Sequence, residues 1–117
     1  MRIAYIAHPI GGDVENNLKK ITEIVRKINH EENQVVPFAP YYLDLLTLED
    51  SIPEERVRGI RNGTELLKRK FIDEIRLYGN RISPGMWGEI RKAQELGIEI
   101  RPMTKETTKE FILNPLD

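Results

Sequence analysis

Ile3-Ala4-Tyr5-Ile6-Ala7-His8-Pro9-Ile10-Gly11-Gly12-Asp13 begins as a short apolar, β-prone run and breaks at a proline and paired glycines. That is a strand and its exit loop. Asp13 is placed to cap a helix, because Val14, Leu18, Ile21, Val25 and Ile28 then recur at helical steps, with Lys19, Lys20, Glu23 and Lys27 on other faces. A strand, a loop and an amphipathic helix in succession begin a β-α-β unit.

The remaining chain continues the alternation. The polar run Asn29 to Asn33 closes the first helix, and Gln34 to Pro40 reads as strand two, its ladder weakened by Pro37. Tyr41 to Asp50 is too apolar for a free loop yet sustains no period, and reads as a partly helical excursion near the strand ends. Ser51-Ile52-Pro53-Glu54 has capping-box spacing and opens a helix carrying Val57, Ile60, Thr64 and Leu67. Gly59 and Gly63 weaken that helix by about 1 kcal/mol each relative to alanine, which suggests a close backbone approach or a bend. Phe71 to Tyr78 alternates as strand three. Ser83-Pro84 supplies an N-cap and a first-position proline for a helix with a Met86, Ile90, Ala93 stripe that ends at Gly97. Ile98 to Pro102 is strand four, and a short helix through Phe111, Ile112 and Leu113 is expected in the tail.

This order predicts an α/β fold: three layers, flavodoxin- or Rossmann-like, with a mostly parallel sheet of four to five strands and helices on both faces. The 117 residues hold one domain, over 1–103, and a C-terminal tail over 104–117. A net charge of -1 gives no field to attract nucleic acid polymers or anionic membranes. No apolar run reaches the roughly 20 residues of a membrane span, and no signal-peptide core follows Met1. Without cysteine there are no disulfides, no thiol catalysis and no cysteine-ligated zinc, and a cytoplasmic protein is expected.

In open α/β sheets, ligands bind beyond the carboxyl ends of the strands, where strand order reverses. If strands one and three are neighbours, the loop His8 to Gly12 meets the loop Gly79 to Gly85. Glu89 lies at the edge of the Met86–Ile90–Ala93 stripe, where a carboxylate is either an ordinary flank of the helix, paired with Lys92 or Arg81, or a reactive group with a raised pKa. Ser83 and the free N–H groups after it suit a phosphate, or are simply a cap. Gly11-Gly12 lets a ligand approach the backbone, or is a tight turn. His8 and Pro9 sit where a ligand would touch. With only His8 and His30, a whole helix apart, a histidine metal site is not expected. Tyr5 and Asp73 read by default as core-edge residues. A Ser83–His8–Asp73 triad can be assembled formally, but Ser83-Pro84-Gly85 is not a nucleophile elbow.

Tyr5 within Ile3 to Ile10, the Phe71-Ile72-Asp73-Glu74-Ile75 strand, and Ser83-x-Gly85-x-x-x-Glu89-Ile90 followed by Ala93 and Gly97 resemble the nucleoside 2-deoxyribosyltransferase-like superfamily. Leu77-Tyr78-Gly79 and Ile82-Ser83-Pro84-Gly85-Met86 are similar to a short branch of unknown function from phages and bacteria. The resemblance spans residues 1 to 101. It implies N-glycosidic cleavage or transfer on a nucleotide or nucleoside, with Glu89 as nucleophile, Tyr5 orienting it and no metal or organic cofactor. Ser83 and Gly85 would hold a 5′-phosphate; beside what the resemblance implies, Met86 and the loop residues His8, Pro9 and Gly11 are candidates to touch the substrate. It also implies a homo-oligomer, dimer or larger, whose neighbouring subunit closes the pocket, the tail being a candidate interface. Asp73 matches an aspartate that opens strand three in the family and is taken with Glu89 and Tyr5 as a catalytic candidate. The aspartate that the family places on the preceding helix is missing from Asn62-Gly63-Thr64-Glu65-Leu66, so either Glu65 replaces it or the protein binds without cleaving.

Overall fold

A computed structural model describes residues 1–113. The elements are β1 (Arg2–Ala7), α1 (Val14–Glu31), β2 (Val35–Phe38), α2 (Tyr41–Thr47), α3 (Pro53–Lys68), β3 (Glu74–Leu77), α4 (Pro84–Leu96), β4 (Glu99–Pro102) and α5 (Lys105–Leu113). The four strands form one parallel sheet in the order β2-β1-β3-β4. The α/β architecture expected from the alternation is therefore present. β1 and β3 are neighbours, with Tyr5 opposite Ile75 and Ala7 opposite Leu77, and the order reverses between them.

Alternation along β1 divides the core into two layers. Tyr5 and Ala7 join Ile75 and Leu77 under Leu67 of α3 and Met86, Ile90 and Ala93 of α4. Ala4 and Ile6 face the other way, under Ile24, Val25 and Ile28 of α1. Among the described residues, α1 is the helix that covers that second face, and the part over β3 carries charges instead. Glu74, 0% exposed, accepts from Arg2 Nε at 2.8 Å, Arg76 Nε at 2.7 Å and Arg101 Nη1 at 3.0 Å, while Arg76 also forks onto Glu32. Burial pushes the Glu74 carboxyl up, but the hydrogen bonds from Arg76 and Arg2 outweigh it and hold it below the usual range.

The sheet edges are short. β2 and β4 each span four residues, and each contains a proline, Pro37 and Pro102.

Several boundaries differ from expectation. β2 is confined to Val35–Phe38 rather than Gln34 to Pro40, and α1 continues through Glu31 into the polar run. β3 begins at Glu74, because Phe71 to Asp73 approach the sheet without joining its strand; Phe71 packs edge-on to Phe38 at 5.6 Å between ring centres. The Ser51 capping box does not form. Ile52 is the N-cap of α3 without a side-chain cap, and Glu55 instead accepts the N–H of Glu49 at 3.0 Å.

The apolar stripe assigned to α3 is also misplaced, since Val57 and Ile60 are 54% and 60% exposed. The inward side passes through Gly59, Asn62 and Leu67, where polar and small groups meet α2. Neither glycine is demanded by space: a Cβ on Gly59 would stand 3.7 Å from Leu48 Cδ1, and one on Gly63 would touch nothing. The expected close approach is absent.

In the tail, α5 packs on the domain. Phe111 stacks on Trp87 at 6.5 Å, and Thr107 is buried with its hydroxyl donating to the Leu77 carbonyl at 3.1 Å. Ile112 and Leu113 stay exposed; positions 114–117 of the expected tail lie outside the described residues.

Candidate functional site

Three elements bring the site together at the carboxyl end of β1 and β3. The loop after β1 and the turn after β3 are in contact: Gly79 adopts φ +92°, and a Cβ there would lie 2.6 Å from Pro9 Cδ. Only glycine permits this approach. α5 braces the same turn, through Thr104 Oγ1 donating to the Gly79 carbonyl at 2.8 Å and Glu110 accepting the Ile82 N–H.

α4 then starts as the sequence implies. Ser83 is its N-cap, accepting the Met86 N–H at 3.3 Å, Pro84 occupies the first turn, and Gly97 closes the helix at φ +74°. Burial of Met86, Ile90 and Ala93 fixes the rotation of α4 and sets Glu89 on its sheet-facing edge, half-buried. There the Tyr5 hydroxyl donates to Glu89 Oε2. Burial raises the Glu89 carboxyl to about 7, against the opposing pull of the Tyr5 hydrogen bond. Burial, with the Glu89 charge behind it, holds the Tyr5 phenol well above its ordinary value, so it remains a donor. Lys92 pairs with Glu95 and not with Glu89.

Two neighbours escaped the sequence reading. Tyr41, at the start of α2, lies 6.0 Å from the Tyr5 ring and is pushed up by burial and then by the Glu89 charge. Asp44, one turn further along α2, acts electrostatically on Tyr5, and Asn62 Nδ2 lies 3.3 Å from each of its carboxylate oxygens. The spacing of Tyr41 and Asp44 is helical, but without a sustained period in Tyr41 to Asp50 nothing in the sequence marked that face.

Other expected residues divide clearly. His8 and Pro9 are at the loop junction, both buried. Gly11 is exposed, with nothing within 4 Å of a Cβ built on it. Gly85 is exposed at the start of α4. Ser83 is committed on both its polar groups, because its N–H points to Met86 Sδ at 3.4 Å while its hydroxyl caps. Met86, expected to line the substrate, is 1% exposed and belongs to the core. Asp73 is not brought to the pair. It sits at the amino end of the sheet, where Oδ2 accepts the Ile3 N–H at 2.7 Å and its own N–H donates to the Ile3 carbonyl. That ties β1 to the entry of β3. Glu65, the alternative acid, is paired with Arg69 in solvent at 2.7 Å.

The surface hollow between α1 and α2, lined by Leu18, Lys19, Thr22 and Tyr42, contains neither Tyr5 nor Glu89. Among the described residues no three His, Cys, Asp or Glu side chains gather to hold a metal, and no helix is long and apolar enough to cross a membrane.

Residues 2–103 match the model of a family described as Domain of unknown function (DUF7768). No curated protein matches the chain, and no solved structure does. With the match running from β1 through β4 and enclosing Tyr5, Ser83 and Glu89, the chain belongs to this family of domains of unknown function.

Proposed function

We propose that the protein cleaves or transfers the N-glycosidic bond of a nucleotide or nucleoside through Glu89, as the likeness to the nucleoside 2-deoxyribosyltransferase-like superfamily implies. The Tyr5–Glu89 hydrogen bond supports this reading: it fixes a sheltered carboxylate beside the point where strand order reverses. A carboxylate oxygen bonds to the anomeric carbon while the C–N bond breaks and the base leaves with the electron pair, taking up a proton. Water or a second base then displaces Glu89 and releases the sugar. A carboxyl at about 7 is partly ionised at neutral pH, so turnover rises as pH passes through that value. Asp44, steadied by Asn62, is the carboxyl group on the Tyr5 side of the site and is assigned to the leaving base.

Chromatography of free base released from nucleoside 5′-monophosphates and deoxynucleosides tests this, with an acceptor base added in parallel. Release by the parent should fall roughly 10³-fold or more in Glu89→Gln. A binding module is the second reading. It is favoured by the lack of the family's helix aspartate in Asn62-Gly63-Thr64-Glu65-Leu66 and by the pairing of Glu65, its one candidate replacement, with Arg69. Retained nucleotide binding without any base release selects it.

The same likeness implies a homo-oligomer. Exposed Leu43, Leu46, Val57 and Ile60 on α2 and α3 offer it an apolar surface beside the site, and light scattering measures the state.

A further inference from the structure

One residue beyond β1, His8 is 5% exposed, and its Nδ1 lies 2.6 Å from the Pro9 carbonyl oxygen. A carbonyl only accepts, so Nδ1 carries the proton and a neutral ring presents a bare lone pair on Nε2. Nε2 has no hydrogen-bond partner among the described residues and lies 3.5 Å from the place a Cβ on Gly79 would occupy. It therefore faces the turn that leads to Arg81. Asn17 Nδ2 donates to the Ile10 carbonyl at 2.9 Å and ties the His8 loop to the first turn of α1, the helix that carries Lys20.

Lys20 and Arg81 are both exposed, and neither has an ion-pair partner among the described residues. Burial lowers the pKa of the His8 ring, the Pro9 carbonyl raises it, and Lys20 and Arg81 lower it further. Two cations on different elements, Lys20 one turn along α1 from Asn17 and Arg81 two residues beyond Gly79, thus flank a buried imidazole. A negative ligand group would relieve all three at once.

We propose that Lys20, Arg81 and Nε2 of His8 form a binding site for a phosphate-class oxyanion at the β1–β3 switch point. The site is separate from Ser83, whose hydroxyl and N–H are engaged, while the exposed Gly85 begins the helix that follows Arg81. Identifying the anion as the 5′-phosphate of a nucleotide deepens the proposed function and rests on that reading; binding of phosphate itself does not. The arriving charge reverses the pull of the cations, so Nε2 takes up a proton and donates it as a hydrogen bond. Binding is then linked to proton uptake and weakens as pH rises above the histidine pKa of the complex.

The chain has two histidines, His8 and His30, which makes the test direct. Ring resonances are followed by NMR against pH in inorganic phosphate and in chloride of equal ionic strength, for the parent, Arg81→Gln, Lys20→Gln and Glu89→Gln. Both cations are exposed, so their removal leaves the fold intact, whereas His8 is buried and its substitution would disturb the packing. Phosphate should raise the His8 pKa by about one unit and leave His30 unmoved. Apparent affinity should fall about tenfold in Arg81→Gln and less in Lys20→Gln, and stay unchanged in Glu89→Gln. An equal response in chloride, or an undiminished one in Arg81→Gln, overturns the site. Phosphate binding without base release retains this site and removes the glycosidic reading; base release without a phosphate response does the reverse.

Discussion

Glu74 and Glu89 stand on opposite faces of the same sheet and are driven in opposite directions. Glu74, between β1 and β4, is fully buried yet held in its charged form by three guanidinium groups. Glu89, on α4, is only half-buried, but one phenol is its sole hydrogen-bond partner among the described residues, and its carboxyl rises to about 7. Burial alone therefore does not decide whether a carboxylate is held charged or pushed toward its neutral form. The number of positive partners does, and those partners are arginines on β1, β3 and β4 at one site and none at the other.

The largest way to break this contrast is to neutralise each glutamate. Glu74→Gln leaves buried Arg76 short of a counter-charge and should destabilise by about 3–5 kcal/mol in urea unfolding. Glu89→Gln should instead stabilise by up to about 3 kcal/mol at pH 8, because it removes a carboxylate that the fold disfavours. If both substitutions destabilise alike, the distinction fails.

Acidity sharpens the same comparison. The folded pKa of Glu74 is depressed, so its contribution is complete above the unfolded value and is lost as pH falls through the lower folded value. The folded pKa of Glu89 is raised, so its contribution is present below the unfolded carboxylate value and disappears as pH rises to about 7. Unfolding free energy measured from pH 4 to 8 should therefore slope downward across that interval from Glu89, and Glu89→Gln should flatten it.

A smaller effect comes from Tyr5→Phe. The Tyr5 hydrogen bond lowers the Glu89 pKa, so its loss should move the ascending limb of base release to higher pH and slow release about 10-fold at pH 7. An unmoved limb would show that Tyr5 does not act through Glu89. The smallest is Ser83→Ala, which removes the α4 cap and should cost about 1 kcal/mol, read by urea unfolding.

The site was legible where local rules and packing agree. Ser83-Pro84, the Met86–Ile90–Ala93 stripe and Gly97 fixed the length and rotation of α4, and with them the place of Glu89. Asp13 capped α1 as its spacing implied. Reading failed where a tertiary neighbour outweighed local pattern. Val57 and Ile60 form a good helical stripe, but α3 turns Gly59 and Asn62 toward α2 and leaves the stripe outside. Asp73 stands just before β3 in the sequence, where a site residue is expected, yet its carboxylate is taken by a backbone N–H at the far end of the sheet. Asp44 could not be found, because its importance comes from Asn62, 18 positions away, and from the ring of Tyr5.

The prolines at the two edges bear on how the protein behaves in a crowd. An open sheet invites a second chain to add itself as another strand, the first step of ordered aggregation. Here each edge offers only four residues, Pro37 interrupts one, and Pro102 ends the other after the alternating charges of Glu99 and Arg101. An incoming strand would find few rungs and a missing donor. The residue that makes β2 a poor strand thus makes it a poor template.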